Sequence, residues 1–363
     1  MQKLNWRISR SYILTSSLFF TALFFLASGC KKNPPSPIIK DFQQVNLVAN
    51  NDEYNATRID PNFINGWGIA FSSGGTAWVS AEGNGLSEVW DKLGTELRPA
   101  VTIPTVGDAV TGGHPSGQVF NSTADFKLSN GNPARFIFAG LDGIISGWNG
   151  GNNAETAIDD SPSGAVYSGI ALASVDGNNF LYVANFSAGK IDVYDKDWAE
   201  VEKPFHDPNL PEGYSPFNIQ NVNGKLFVMY AKIGADGDEV KGSGLGIVDV
   251  YRTNGTLERR FATRGPLNAP WGVAAAPSAF WGPDFDVANA ILVGNFGDGR
   301  ISVYDQSGKF VGPLMAKEKP IEIAGLWGIS FAPVTATTVN PGWLYFAAGP
   351  DDEADGLFGY ITK

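Results

Sequence analysis

A four-residue motif that begins with Trp-Gly occurs three times and constrains the fold more than any other feature of this chain. Its copies are Trp67-Gly68-Ile69-Ala70, Trp271-Gly272-Val273-Ala274 and Trp327-Gly328-Ile329-Ser330. The first two copies are 204 residues apart, which is four times 51, and the last two are 56 residues apart. A repeat of about 40–50 residues is typical of β-propellers. We therefore expect further copies of the unit between the first two motifs.

Six such units can be found by their later strands. In each unit a short apolar run leads to a second run, as 181–186 leads to 189–195 and 292–296 leads to 299–305. Gly, Asn and Asp bound these runs, which is the pattern of short strands joined by turns. No segment after residue 40 has a sustained helical period. The pattern predicts an all-β, six-bladed β-propeller with four antiparallel strands per blade. A pair of β-sandwiches or a β-solenoid remains as the alternative, although a solenoid would need a shorter repeat.

The two ends of the chain predict how the ring closes. The last unit stops at Lys363 after its third strand, while an alternating segment at 42–48 precedes the first Trp-Gly motif. We expect this N-terminal strand to be the outer strand of the last blade, so that residues 42–363 form one propeller.

The repeats also carry a family resemblance. Besides the Trp-Gly motifs, the runs at 213–221, 266–272, 295–305 and 325–328 look like those of an uncharacterised family of exported bacterial propellers. Some members of that family carry a C-terminal PEP-CTERM tail, which this chain lacks. The resemblance implies a propeller fold but no activity. More distantly, the units resemble NHL-type propellers and the calcium-dependent lactonase and phosphotriesterase propellers.

Composition excludes several other classes of protein. The chain has 363 residues with 44 Gly, 22 Pro and 10 Trp, and only 17% of the residues are charged. Coiled coils are rich in Ala, Glu, Lys and Leu rather than in Gly, Pro and Trp. An apolar fraction of 43% argues against a disordered chain. A single Cys excludes a disulfide scaffold. The net charge of −11 gives nucleic-acid binding little electrostatic support.

The first 29 residues predict a lipoprotein signal peptide. Lys3, Arg7 and Arg10 precede an apolar run that ends in Ala27-Ser28-Gly29-Cys30, which resembles a bacterial lipobox. We expect Cys30 to be lipidated and 30–41 to be a tether. The protein would then be exported and anchored to the bacterial cell envelope, at the outer membrane. An ordinary signal peptide with an incidental Cys is the alternative.

Candidate site residues lie in loops predicted to surround one mouth of the central channel. The innermost strands are expected to start at Trp67, Asn121, Ser168, Asn218, Trp271 and Trp327. His114 is the candidate general base, because imidazole titrates near neutral pH. The candidate ligand-binding residues are Trp67, Trp271, Trp327, Asn218 and His206. The lactonase resemblance implies calcium as a possible cofactor, and Glu82, Asn185 and Asn295 have suitable oxygen atoms to bind it.

Two functions follow as hypotheses. The first is an envelope-anchored scaffold that binds a protein, a glycan or a small ligand. The second is a calcium-dependent hydrolase of the lactonase or phosphotriesterase type, with its site at the channel. Whether the protein is an enzyme stays open at this stage, because a propeller fold hosts many functions.

Overall fold

A computed structural model describes residues 39–107, 109–282 and 289–363 of the chain. The signal peptide, Cys30 and the first part of the tether lie outside the described residues. Backbone hydrogen bonds from Phe42 to Met315 and from Met315 to Ile39 tie the end of the predicted tether to the domain. Among the described residues, no helix is both long enough and apolar enough to cross a bilayer.

The described residues form a β-propeller of six blades, as the repeats predict. In chain order the strands are β1 (Gln43–Ala49), β2 (Arg58–Ile59), β3 (Gly66–Phe71), β4 (Ala77–Ala81), β5 (Leu86–Trp90), β6 (Glu96–Thr102), β7 (Pro115–Phe120), β8 (Phe136–Gly140), β9 (Ile144–Trp148), β10 (Glu155–Asp159), β11 (Tyr167–Val175), β12 (Asn178–Asn185), β13 (Lys190–Tyr194), β14 (Tyr214–Val222), β15 (Lys225–Lys232), β16 (Ile247–Tyr251), β17 (Leu257–Thr263), β18 (Pro270–Ala275), β19 (Ile291–Asn295), β20 (Ile301–Tyr304), β21 (Phe310–Pro313), β22 (Met315–Ala316), β23 (Lys319–Pro320), β24 (Leu326–Phe331), β25 (Leu344–Ala348) and β26 (Leu357–Thr362). One short α-helix, α1 (Ser278–Trp281), and two 3-10 turns, Glu82–Asn84 and Ser161–Ser163, complete the described elements.

Each blade is an antiparallel meander. Blade 1 is β3 to β6, blade 2 is β7 to β10, blade 4 is β14 to β17 and blade 5 is β18 to β21. Blade 3 has only β11 to β13 as paired strands, and an isolated bridge between Tyr194 and Glu200 replaces part of its outer strand. The innermost strands β3, β7, β11, β14, β18 and β24 contact one another in this order, and β24 contacts β3.

The N-terminal strand closes the last blade, as predicted. Blade 6 consists of β24, β25, β26 and β1, and β1 pairs antiparallel with β26. Val48 lies opposite Phe358 in this pairing, and both side chains are fully buried. The short strand β2 adds to the outer edge of this sheet in parallel. Residues from both ends of the described chain therefore share one hydrogen-bonded sheet.

Small residues allow the inner strands to approach closely around the channel. A Cβ atom on Gly68 would lie 2.5 Å from the carbonyl oxygen of Ser116 in the next blade, and one on Gly328 would lie 2.5 Å from that of Trp67. Such distances are below any ordinary van der Waals contact, so these positions need glycine. Gly117, Gly169 and Gly272 hold the same position in blades 2, 3 and 5.

This register corrects two of the predicted strand starts. Each innermost strand has an irregularity at its start, which places Ser116 in blade 2 where blade 1 has Trp67. Asn121 lies beyond the end of β7. In blade 4 the equivalent residue is Phe217, and Asn218 takes the glycine position. Neither Ser116 nor Phe217 carries the Trp signal, which explains the shift.

Candidate functional site

Aromatic rings from several blades pack together where innermost strands begin, and we call this cluster the floor of the channel. Trp67 stacks on Trp327 with ring centroids 3.6 Å apart, and Phe296 stacks on the same Trp327 ring at 3.7 Å. Trp271 meets both Trp67 and Trp327 edge-on, at 5.9 and 6.0 Å. All four rings are buried and pack as one cluster with Phe186 and Phe217. The three repeated Trp residues thus form a shared core.

A cavity of about 670 Å³ lies against this floor. Its apolar wall comes from four different blades through Trp67, Phe186, Phe217 and Trp327, together with Leu141 and Val166. Its polar wall comes largely from the loop between β15 and β16, which contributes Asp236, Asp238, Glu239 and Lys241, and from Glu353 in the loop between β25 and β26. An apolar pocket with a few polar groups is the usual form of a small-molecule site. We call it the channel cup.

The carboxyl groups of the channel cup repel one another. Burial raises the pKa of Glu239 to about 7, and the nearby charges of Glu353 and Asp238 add to the effect. Burial also raises the pKa of Glu353, although a hydrogen bond from Asn65 opposes the shift. Lys241 is the cation that lowers both pKa values, and its Nζ lies 4.3 Å from the centroid of the Phe296 ring. The cup therefore holds more negative than positive charge.

Asn65 links the carboxylates of Glu82 and Glu353 to the aromatic floor. Its Nδ2 donates to Glu82 Oε2 and to Glu353 Oε2, both at 2.9 Å. Its Oδ1 accepts from the indole nitrogen of Trp327 at 3.1 Å. Asn65 is almost completely buried, so water cannot reach its amide group. These three bonds satisfy the amide instead. Asn65 therefore fixes the positions of two carboxylates relative to the floor.

Glu353 reaches this network from an unusual backbone turn. Asp351, Asp352 and Glu353 have φ angles of 55°, 50° and 71°, so three successive non-glycine residues are left-handed. Such residues each cost free energy, because Cβ crowds the following carbonyl. Hydrogen bonds from the Glu353 N–H to Gly349 and from the Asp355 N–H to Pro350 hold the turn in place.

His114 and Glu82 form a pair beside the same network. His114 Nδ1 lies 2.7 Å from Glu82 Oε1, and the other oxygen of Glu82 accepts from Asn65. The hydrogen bond to Glu82 raises the pKa of His114, although partial burial lowers it. His114 directly precedes β7 and is about half exposed, while Glu82 is mostly buried in the turn after β4. This pair can hold a proton close to the channel mouth.

Two of the residues predicted to bind calcium, Asn185 and Asn295, use their side-chain amides in turn hydrogen bonds. Asn185 Nδ2 donates to Asp192 and its Oδ1 accepts from the N–H of Ala188. Asn295 donates to the Pro266 carbonyl and accepts from the N–H of Asn268. Both amides thus stabilise turns within their own regions, as Asn commonly does after strands. Within the described ranges, no group of three or more His, Cys, Asp or Glu residues is arranged to hold a metal ion.

The other predicted binding residues lie in different surroundings. Trp67, Trp271 and Trp327 meet in the floor, and Trp67 and Trp327 also line the cup. Asn218 is buried and donates to the Trp271 carbonyl at 2.8 Å. His206 is exposed in the segment that follows blade 3, next to Phe205, which packs on Tyr182 and Tyr251.

The sequence does not point to Asn65 or Lys241 as site residues. Glu239 and Glu353 belong to the acidic runs 236–239 and 351–355, for which a solvated loop is the first interpretation and a cation site on the rim the second. Their position indicates a site, because both runs join second to third strands on the face where Glu82 lies.

Relatives of the chain identify its family. No protein-family model matches it. Two uncharacterised proteins of Acanthamoeba polyphaga mimivirus are 31% and 30% identical to it over 340 and 336 residues. These alignments cover 88% of this chain in both cases, and 80% and 86% of the viral proteins. The chain belongs to the family of these uncharacterised proteins. A third mimivirus protein is 32% identical over 280 residues, which are 73% of this chain and half of that protein.

Viral members of the family do not support the expected resemblance to exported bacterial propellers with PEP-CTERM tails. Solved structures show the fold alone. Virginiamycin B lyase from Staphylococcus aureus aligns with a TM-score of 0.52 and 15% identity, over 89% of this chain and 99% of that chain. A protein of unknown function from Bacteroides thetaiotaomicron aligns with a TM-score of 0.55 and 10% identity, over 88% of this chain and 76% of that chain.

Proposed function

We propose that this propeller is a binding protein that takes a small organic cation into the channel cup. The observation that carries the proposal is the composition of the cup, in which aromatic rings form the floor and Asp236, Asp238, Glu239 and Glu353 face one lysine. Burial raises the pKa values of Glu239 and Glu353 and repulsion between carboxylates adds to it, so a cation between them would relieve the repulsion. Aromatic faces also attract organic cations once water is excluded.

Matched pairs of ligands test this proposal. The full-length chain would be titrated with choline and with its uncharged isostere 3,3-dimethylbutan-1-ol, and with glucosamine and glucose. We expect only the charged member of a pair to stabilise the protein against heat. Glu239→Gln and Glu353→Gln should weaken that effect, whereas Glu318→Gln should not, because Glu318 is exposed beside Lys40. Equal binding of charged and neutral members would contradict the proposal.

We also propose that Cys30 anchors the protein to the cell envelope through a lipid. The support is the sequence, in which a basic start and an apolar run precede the lipobox-like Ala27-Ser28-Gly29-Cys30. The full-length chain expressed in bacteria should incorporate labelled palmitate and partition into detergent. Cys30→Ser should abolish both, and labelling that survives this change would contradict the anchor.

A hydrolase or lyase activity is the second candidate, favoured by the contact between His114 and Glu82. A carboxylate on Nδ1 orients the imidazole, so that Nε2 can exchange a proton with a substrate. One structural neighbour is a lyase, and its likeness extends the candidate reactions from hydrolysis to elimination. The amide oxygens of Asn185 and Asn295 already accept backbone hydrogen bonds, and no catalytic step is proposed through calcium.

Lactone, phosphotriester and cyclic depsipeptide substrates would test the second candidate. Turnover by the full-length chain should fall at least about a hundredfold in His114→Ala, which is the usual size of a general-base contribution. His206→Ala is the matched control, because it removes the other histidine of the chain. Each assay would be run with calcium and with chelator. The absence of turnover in every arm would leave the cup as a binding site only.

A further inference from the structure

A second acidic site lies in blade 1, away from the residues of the channel cup. Its central residue, Glu88, lies in the middle of the third strand, at a position that can be compared across all six blades. The residues at this position lie opposite Val79, Phe138, Val183, Val228, Val293 and Phe346, and they are Glu88, Ser146, Asp192, Asp249, Ser302 and Gly359. Three of the six are carboxylates, and all three are at least nine-tenths buried.

Two of these carboxylates have a cationic partner. Lys190 Nζ lies 2.6 Å from Asp192 Oδ1, and Asn185 donates to the other oxygen. Arg260 Nε donates to Asp249 Oδ1 at 2.5 Å from the neighbouring outer strand. Burying a carboxylate in such a position is tolerable because the cation offsets the loss of hydration.

Glu88 differs from both. It is only 3% exposed, and its Oε1 has no hydrogen-bond partner among the described residues. Burial raises the pKa of Glu88 to about 8, and the charges of Asp60 and Glu96 add to the shift. Its carboxyl group is therefore the least compensated of the three buried carboxylates.

The strand register explains why no arginine reaches Glu88. In blade 4 Asp249 lies directly opposite Arg260. In blade 1 the pairing of β5 with β6 shifts on both sides of Val89, so that Arg98 lies opposite Val89 and no residue is paired with Glu88. Arg98 donates instead to the Gly151 carbonyl and lies over the Trp148 ring at 4.4 Å, both in blade 2.

Glu88 lines a separate cavity of about 200 Å³, together with Asp60, Glu96 and Trp90. Arg98 also lines this cavity but is engaged with blade 2, and the cation whose charge lowers the pKa of Glu88 is Arg58. Its Nη2 lies 3.2 Å from Glu96 and 3.9 Å from Asp60, and the guanidinium lies over the Trp90 ring at 5.2 Å. The guanidinium of Arg58 is thus divided between Glu96 and Asp60, and Glu88 has no paired cation among the described residues.

We infer that this cavity binds a primary ammonium group of a small amine, with Glu88 as its main partner. An ammonium is a compact donor of three hydrogen bonds, which suits an unpartnered carboxylate oxygen with two further carboxylates nearby. Leu86, Val89 and Trp90 also line the cavity and offer an apolar wall for a short alkyl chain. The site is independent of the channel cup, since the two cavities share no lining residue.

Calorimetry with n-butylammonium chloride on the full-length chain tests the inference, with 1-butanol, tetramethylammonium chloride and calcium chloride as comparison probes. We expect butylammonium to bind at a site from which 1-butanol, tetramethylammonium and calcium do not displace it. Glu88→Gln should weaken binding at this site at least about tenfold. Glu88→Ser supplies the residue type that blades 2 and 5 hold at this position and should weaken binding as much. Glu318→Gln, at an exposed position outside both cavities, should leave binding at this site unchanged.

A pH series gives a readout that does not depend on a variant. Amines of this kind stay charged up to about pH 10, whereas Glu88 ionises near pH 8. Binding should therefore strengthen at least about tenfold from pH 6 to pH 9, with release of a proton from Glu88 at the lower pH. Binding that is equal at both pH values, loss of binding in Glu239→Gln alone, or a preference for calcium would overturn the assignment.

Discussion

Trp67 of the first blade stacks on Trp327 of the last blade, with centroids 3.6 Å apart and ring planes 22° from parallel. The same two blades are in contact through β3 and β24. Gly328 of the last blade packs against the Trp67 carbonyl, which lets β24 lie close to β3. The stack therefore joins the aromatic floor of the channel to the closure of the ring.

Replacing Trp327 with Ala should destabilise the propeller by about 3–5 kcal/mol, because a fully buried indole would leave a cavity between three other aromatic rings. Urea unfolding followed by circular dichroism measures the loss. Trp343→Ala is the control, since Trp343 is only partly buried where it stacks on Tyr360. Equal losses for the two variants would show that the floor is not a special part of the core.

Closure by the N-terminal strand gives a second prediction. Leu47→Ala should cost about 2–5 kcal/mol, since Leu47 is buried in β1 between blade 6 and blade 1. Gln44→Ala, in the same strand but exposed, should change stability by no more than about 0.5 kcal/mol. Thermal unfolding of both variants is the measurement. A negligible effect of Leu47→Ala would mean that β1 detaches without loss to the ring.

The contact between His114 and Glu82 predicts a shifted titration. The carboxylate stabilises the imidazolium, so the pKa of His114 should lie above its ordinary value and should fall in Glu82→Gln. The pair therefore stabilises the fold below the unfolded pKa of His, and that contribution is lost as pH rises through the folded pKa. The chain has only two histidines, so NMR titration resolves them, with the His206 signal as internal reference. An unchanged His114 titration in Glu82→Gln would refute the pairing.

The ion cluster of blade 4 gives a fourth prediction. Arg260 donates to both Asp249 and Asp207, which are buried, and burial raises the pKa of Asp249 to about 7 despite this partner. Arg260→Leu should cost about 3–5 kcal/mol at pH 8, because it leaves two carboxyl groups without their cation.

The loss in Arg260→Leu should shrink at pH 5. A raised carboxyl pKa means that the folded state holds the proton more tightly, so stability falls as pH rises from the unfolded value through the folded one. Arg252→Leu, at an exposed position of the same blade, is the control and should change stability by no more than about 0.5 kcal/mol. Urea midpoints at the two pH values would decide, and an equal loss at pH 5 and pH 8 would contradict the role of Asp249.

The repeats predict more of the fold than of the site. The period of about 51 residues and the missing last strand are local properties of the sequence, and they lead to six blades and to closure by 42–48. Asn121 and Asn218 show the limit of this approach, because the strands of blades 2 and 4 start at residues without the Trp-Gly signal. The register there depends on packing between blades, as the close approach of Gly68 to Ser116 shows.

By itself, the sequence determined the class of fold, the number of blades and the strand that closes the ring. Only the tertiary structure decided which loop side chains meet at the channel mouth. Asn65 and Glu353 come from opposite ends of the chain and share a hydrogen bond because blade 6 lies beside blade 1. Three left-handed residues set the final position of Glu353, and that conformation follows from the hydrogen bonds of one folded turn rather than from any repeating pattern.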